Sequence, residues 1–324
     1  MGKVCVMGDG SVQSESVKGS IDPAALMRIR SLELRARVVV EGFWKGLHRS
    51  PHHGFSVEFS EYRQYSQGDD PRFIDWKVMA RTDRVFIKKF EDETNLRCFL
   101  LVDQSRSMGY AGNEGYSKAD YATTLAATFG YFLMEQGDAV GLVTFDEKLN
   151  QFVPARNRPG QLRRLMGQLE SGQGGKGTDL IGPLKKVAEL VKKRGLMMLI
   201  SDLLAPIDEL EVHLGYLAAA GHDLVVWQVL DRSELEFEFK TASHFKDVES
   251  DRAVYIDPVL AREQYLAKLQ IHLDAVQEIC DRNGIDYRLV VTDEPLDHVL
   301  FDFVSMRESA GKRGKRVSRA VNRR

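Results

Sequence analysis

The sequence predicts an α/β fold: a doubly wound, mostly parallel sheet flanked by helices, with an N-terminal helix/β extension. Two observations predict it. Short, almost wholly apolar runs (CFLLV, LMMLI, LVVW) have the length of strands buried on both faces, as parallel strands are. Between positions 97 and 307 these runs alternate with helical patterns, which is how crossover connections of a parallel sheet read.

The elements follow in order. Residues 1–21, rich in Gly and Ser, read as a disordered leader. Asp22-Pro23 opens a helix with proline in its first turn, carried by Leu26, Ile29, Leu32, Leu34 and Val38–Val40 to about Gly42. Residues 43–55 read as a loop, 56–66 and 84–90 as strands, and GDDPR at 68–72 as a turn. From Leu96 the texture changes. An apolar strand ends in Asp103, and a helix over 117–136, a strand over 137–146 and a short QFVPA strand follow. Leu162, Leu165, Met166 and Leu169 give the next helix (159–170) its apolar stripe. A glycine-rich loop (171–177) precedes a helix over 179–193, and strand 196–201 runs into Asp202. A helix over 207–220, a strand over 223–230, a small β excursion over 231–256 and a helix over 258–283 come next. Asn283-Gly284 is a C-cap signal, and strand 285–291 with helix 296–307 closes the unit. The domain reading is therefore a leader (1–21), an extension (22–95), the α/β domain (96–307) and a basic, disordered tail (308–324).

Composition narrows the function classes. The formal net charge of −2 hides an asymmetry, because residues 311–324 hold seven basic side chains and no acidic one. The rest carries 38 basic against 47 acidic residues, an acidic body unlike a nucleic-acid reader. Cys5, Cys98 and Cys280 are far apart and form no CxxC pair, so zinc-ribbon and thioredoxin chemistry are not indicated. Reduced thiols, a cytoplasmic location and a core role for Cys98 are expected. No stretch reaches the roughly 18 apolar residues of a membrane span.

In open α/β sheets ligands bind beyond the carboxyl ends of the strands. Two of the buried strands end in Asp103 and Asp202, and Ser105 and Ser107 follow Asp103 at i+2 and i+4, where one tight loop aims several oxygens at a single point. Thr178, after the glycine-rich loop, adds a hydroxyl from a third loop. Hydroxyl and carboxylate oxygens suit a hard divalent cation: Mg²⁺ first, with Mn²⁺ and Ca²⁺ admissible. Each residue alone has a plainer reading: Asp103 as an Asx-turn, Thr178 or Asp179 as a helix N-cap. Together, Asp103, Ser105, Ser107, Thr178 and Asp202 resemble the metal-ion-dependent adhesion site of von Willebrand factor A domains, whose hallmark is D-x-S-x-S, then Thr, then Asp. That resemblance implies a von Willebrand factor A-like, Rossmann-like domain that captures a carboxylate of a protein partner on the metal.

A second segment is longer. Residues 54–91 contain G-x-S-x-E-F-x-x-x-R-x-Y-x-x-G-D-D-x-R-x-I-D-W followed by Ala80-Arg81, which resembles the bacterial "domain of unknown function 58" family over about residues 22 to 305. The resemblance implies a von Willebrand A-like domain joined to this signature, with a MoxR-type AAA+ ATPase as partner. Asp69, Asp70, Arg72, Asp75 and Arg81 read as a charge-paired turn that docks the extension, with Ile74 and Trp76 as apolar anchors.

The expected function is a metal-dependent binding or adaptor protein, not an enzyme. The alternative is a Mg²⁺-dependent phosphatase-like hydrolase with Asp103 as nucleophile, but the general acid it needs two residues on is here Ser105. Gly172–Gly177 matches GxGxxG but follows a helix, against a dinucleotide loop, and Lys176-Gly177 fails a P-loop. His48, His52 and His53 read as solvated loop residues.

Overall fold

A computed structural model describes residues 20–47, 62–64, 79, 81, 86–88, 96–172, 181–237, 239, 243–246, 253–256 and 258–307. Its centre is a six-stranded sheet built from β3 (Arg97–Asp103), β4 (Ala139–Phe145), β5 (Leu149–Arg156), β6 (Leu196–Ser201), β7 (Asp223–Leu230) and β10 (Asp286–Val291), in the spatial order β10-β7-β6-β3-β4-β5. Every neighbouring pair is parallel except β4 and β5, which are antiparallel. This is the doubly wound order 3-2-1-4-5-6 when the six strands are counted along the chain. The winding reverses between β3 and β6, and in open α/β sheets ligands bind beyond the carboxyl ends of the strands at such a point.

The apolar runs are strands because both sheet faces are covered. In β3, Cys98, Leu100 and Val102 join one core cluster while Phe99 and Leu101 join the other, the two-residue alternation of a pleated strand. On the first face lie α3 (Lys118–Glu135), α4 (Gln161–Ser171) and the helix over 296–307, here α9. On the second lie α5 (Ile181–Leu190), α6 (Ile207–Ala219) and α8 (Pro258–Asn283). Cys98 is fully buried, as expected, and Cys280 is buried on the second face. Among the described residues no helix is long and apolar enough to cross a membrane.

The N-terminal helix departs from the sequence reading. It is two helices, α1 (Pro23–Met27) and α2 (Leu32–Leu47), so the first residues of the expected loop at 43–55 are helical. The break has local causes. Ser31 Oγ accepts from the Leu34 backbone N–H at 3.3 Å, an N-cap interaction inside the apolar pattern. The Arg35 guanidinium donates to the carbonyls of Ile29 (2.5 Å) and Met27 (2.9 Å), which are left over where α1 stops. Helix α2 then lays Ala36, Val39, Val40 and Phe43 into the first core cluster, with Phe43 edge-on to Phe132 of α3.

Two small antiparallel pairs accompany the sheet: β1 (Tyr62–Gln64) with β2 (Phe86–Lys88), and β8 (Ser243–Lys246) with β9 (Ala253–Ile256). The expected β excursion after β7 thus begins with a short helix, α7 (Arg232–Glu236), opened by a capping box between Asp231 and Glu234. Gly284, at φ +66°, ends α8 where the C-cap was expected. Residues 1–19 of the leader, the basic tail, the three loop histidines and most of the 54–91 signature lie outside the described residues; Ile21, which was read as leader, is half-buried against the first core cluster.

Candidate functional site

Four of the five predicted site residues are described, and they stand on one rim. Asp103 closes β3 and Asp202 follows β6, its paired neighbour; their strands align Val102 with Ile200. Both aspartates are almost fully buried, as is Ser105. Thr178 lies in the glycine-rich segment 173–180, outside the described residues.

The turn after β3 is organised by Asp103. Its Oδ1 accepts the Ser105 N–H at 2.8 Å, an Asx-type turn that bends the chain back across the strand end. Ser105 Oγ and Ser107 Oγ then come within 3.1 Å of each other on the turn leading into the 3₁₀ segment Arg106–Gly109. The plainer reading of Asp103 is therefore correct as far as it goes. The same turn also places two hydroxyls side by side at the strand end, the arrangement a cation-binding loop needs. Gly172, at the entrance of the glycine-rich loop, lies against the Gln104 amide; a Cβ there would come within 2.3 Å of its Oε1, so a larger residue would have to push that side chain aside.

The second carboxylate oxygen of Asp103 accepts from Ser201 Oγ at 2.5 Å, and Ser201 Oγ in turn accepts from the Leu203 N–H at 3.1 Å. Leu203 carries a left-handed φ of 53°, rare for a branched side chain. Its burial and the His272 Nε2 contact to its carbonyl, 2.9 Å away, hold it there. That sharp bend turns Asp202 toward the rim, where its backbone carbonyl accepts from Gln228 Nε2 at 2.7 Å.

The electrostatics of the two aspartates differ. Burial, and then the neighbouring Asp202, push the Asp103 carboxyl up to about 7, against hydrogen bonds from Ser201 and Ser105 that favour the charged form. Asp202 has a cation of its own. The Lys118 ammonium donates to Asp202 Oδ2 at 2.9 Å and to Glu234 Oε1 at 2.9 Å. Lys118 is 0% exposed. Burial alone would lower its ammonium, but the two carboxylates outweigh burial and hold it above its ordinary range. Glu234 is raised by its own burial in spite of Lys118. The neighbouring strand end holds a further buried carboxylate, Asp231, which accepts from Thr292 Oγ1 at 3.0 Å and from Ser233 Oγ at 2.6 Å.

The structure brings the predicted aspartates and serines to one rim and adds Lys118, Ser201, Glu234 and Gln228, which sequence reasoning did not mark. Lys118 is the first residue of α3, one position past the N-cap Ser117, where a lysine ordinarily faces solvent. No spacing rule marks it, because its partners sit 84 and 116 residues away.

With this geometry in view, the model of the family described as "Protein of unknown function DUF58" matches residues 61–274, about two thirds of the chain. The chain belongs to the DUF58 family. Among the relatives of this DUF58 protein are the uncharacterized proteins Rv1480 of Mycobacterium tuberculosis and Mb1516 of Mycobacterium bovis. Each is 29% identical over 251 residues, spanning 75% of this chain and 78% of the relative. Solved structures similar to it include BatB from Bacteroides thetaiotaomicron, at TM-score 0.43 and 15% identity over 65% of this chain and 98% of that one. The VWA domain of SpRpn10 is similar at TM-score 0.36 and 10% identity, over 63% and 93%. The sheet of this DUF58 member is doubly wound and mostly parallel, as the alternation of apolar runs and helical patterns predicted.

Proposed function

We propose that this DUF58 protein is a metal-dependent adaptor that captures a carboxylate of a protein partner at the β3–β6 rim, working with a MoxR-type AAA+ ATPase in assembling or remodelling a protein complex. The observation that carries the reading is the state of Asp103. Its carboxylate is buried beside a second carboxylate, its hydrogen bonds come from neutral groups, and two hydroxyls stand next to it. A buried anion without a counter-charge is costly, so the donor set Asp103, Ser105 and Ser107 fits a hard divalent cation, Mg²⁺ first and Mn²⁺ or Ca²⁺ next. Thr178 and Asp202 complete the proposed set from the other loops. When bound, such an ion supplies an electrophilic centre with a position open to a partner's side chain. The chain's own contribution is to fix the oxygens: the Asx turn sets Ser105, and Ser201 locks the rotation of Asp103.

The test is binding. Calorimetric titration of the full chain with MgCl₂, and capture of a MoxR-type ATPase in Mg²⁺ and in EDTA, are expected to show binding in wild type. Both signals are expected to be lost in Asp103→Ala with the far-UV circular dichroism unchanged. Equal capture by wild type and Asp103→Ala, insensitive to EDTA, would overturn the proposal.

A further inference from the structure

Lys118 is the only lysine in the buried set of described residues, and the motif that points to the site does not include it. Its position is built rather than incidental. The Lys118 backbone N–H donates to the Tyr110 carbonyl at 2.9 Å, so the loop after the Asp103 turn pins the start of α3. The capping box of Ser117 and Asp120 fixes the same residue from the helix side. The side chain then reaches Asp202 beyond β6 and Glu234 on α7, while Tyr110 Oη meets Ser233 Oγ at 2.8 Å. One ammonium thus ties together the loops after β3, β6 and β7. Tying strand-end loops by charge is what a divalent ion would do at this rim.

We infer that Lys118 is a tethered counter-cation that competes with a divalent ion for Asp202, so that the resting site is assembled without metal and takes metal weakly. This rests on the metal-binding reading above. The physical reason is charge balance. Asp103, Asp202 and Glu234 bring three formal negative charges, and Lys118 cancels one of them inside the rim. Asp202 Oδ2 is already satisfied by a donor that gives directional hydrogen bonds. A divalent ion that draws on Asp202 as well as Asp103 meets a like charge already hydrogen-bonded to Asp202, in surroundings with little water to screen it. Its binding must therefore lean on the Asp103 side of the rim and on whatever acidic group a partner adds. Weak resting occupancy would couple metal uptake to partner capture.

The experiment compares Mn²⁺ binding, by electron paramagnetic resonance of the free ion, with thermal unfolding in EDTA and in MnCl₂, for full-length wild type, Lys118→Met, Lys118→Arg and Glu234→Gln. Lys118→Met is expected to melt below wild type in EDTA, because buried Asp202 and half-buried Glu234 lose their cation. It is expected to bind Mn²⁺ on the order of tenfold more tightly and to regain stability with it. Lys118→Arg keeps the charge and is expected to stay within a few-fold of wild type, by the same charge argument. If Lys118→Met does not fold in EDTA, Glu234→Gln decides. Leaving the ammonium to Asp202 alone, it is expected to weaken Mn²⁺ binding several-fold, and unchanged affinity would overturn the inference. Mn²⁺ binding by wild type with no gain in folded Lys118→Met removes this inference and leaves the metal reading standing. No Mn²⁺ binding by wild type or any variant removes both.

Discussion

At the scale of single residues, the site is a contrast between two aspartates on adjacent strands. Asp202 is neutralised by Lys118, and Asp103 is held by neutral donors only. Asp103 is therefore the residue that destabilises the ligand-free fold when it ionises. Its folded value of about 7 lies above the ordinary unfolded value near 3.9. Between those values the folded chain holds a proton that the unfolded chain has released, so stability from this residue falls as pH rises through the window. Asp103→Asn removes that titration. In EDTA at pH 8 the variant is expected to melt a few degrees above wild type, and the gap should shrink at pH 5 and close below about pH 4. A variant less stable than wild type at pH 8 would show that the carboxylate is compensated after all. The aspartates were legible because a carboxylate at the end of an apolar run is a local pattern. Lys118 was not, since burial of a lysine depends on what other loops bring to it.

At the scale of elements, glycine marks where backbone approaches backbone. Gly141 sits in the middle of β4, where a Cβ would come within 2.7 Å of the Val153 carbonyl oxygen and 2.8 Å of the Ala155 nitrogen. Those atoms belong to β5, which pairs antiparallel with β4 and slips register between Val140 and Leu142. Glycine thus permits the irregular pairing of the edge hairpin. Gly141→Ala is expected to cost about 1–3 kcal/mol in urea unfolding, because backbone cannot swing aside as a side chain can. A cost below about 0.5 kcal/mol would mean that β5 shifts freely. The strands were read from sequence because both faces of the sheet are covered, which makes apolar runs continuous. The α1–α2 break was not. Hydrophobic spacing runs through it, and the feature that ends α1 is a tertiary-scale choice: Arg35 folds back on the carbonyls of Met27 and Ile29 and also reaches Thr124 on α3.

At the scale of the molecule, the N-terminal helices belong to the core of the α/β unit. Val39, Val40 and Phe43 share one cluster with α3 and with sheet residues such as Leu100 and Trp227. Val40→Asp places a charge at a fully buried position and is expected to lower the stability of the whole chain by about 3 kcal/mol or more, followed by far-UV circular dichroism in urea. Loss of α2 alone, with the remaining transition unmoved, would make the helices an appendage. The same scale explains where the site lies. The chain winds outward from β3 through β4 and β5, then returns to β6 on the other side, and the carboxyl ends of β3 and β6 at that reversal are where ligands bind in open α/β sheets.

The sequence by itself determined the α/β class, the order of strands and helices, and the Asp103, Ser105, Ser107 and Asp202 positions, because each is written in local periodicity or short spacing. It also carried the DUF58 signature. The tertiary structure alone decided which strands are neighbours, that β5 runs against the rest, and that Lys118 and Glu234 enter the rim. Those facts depend on contacts between residues far apart in the chain, and a buried ion pair leaves no period behind it in the sequence.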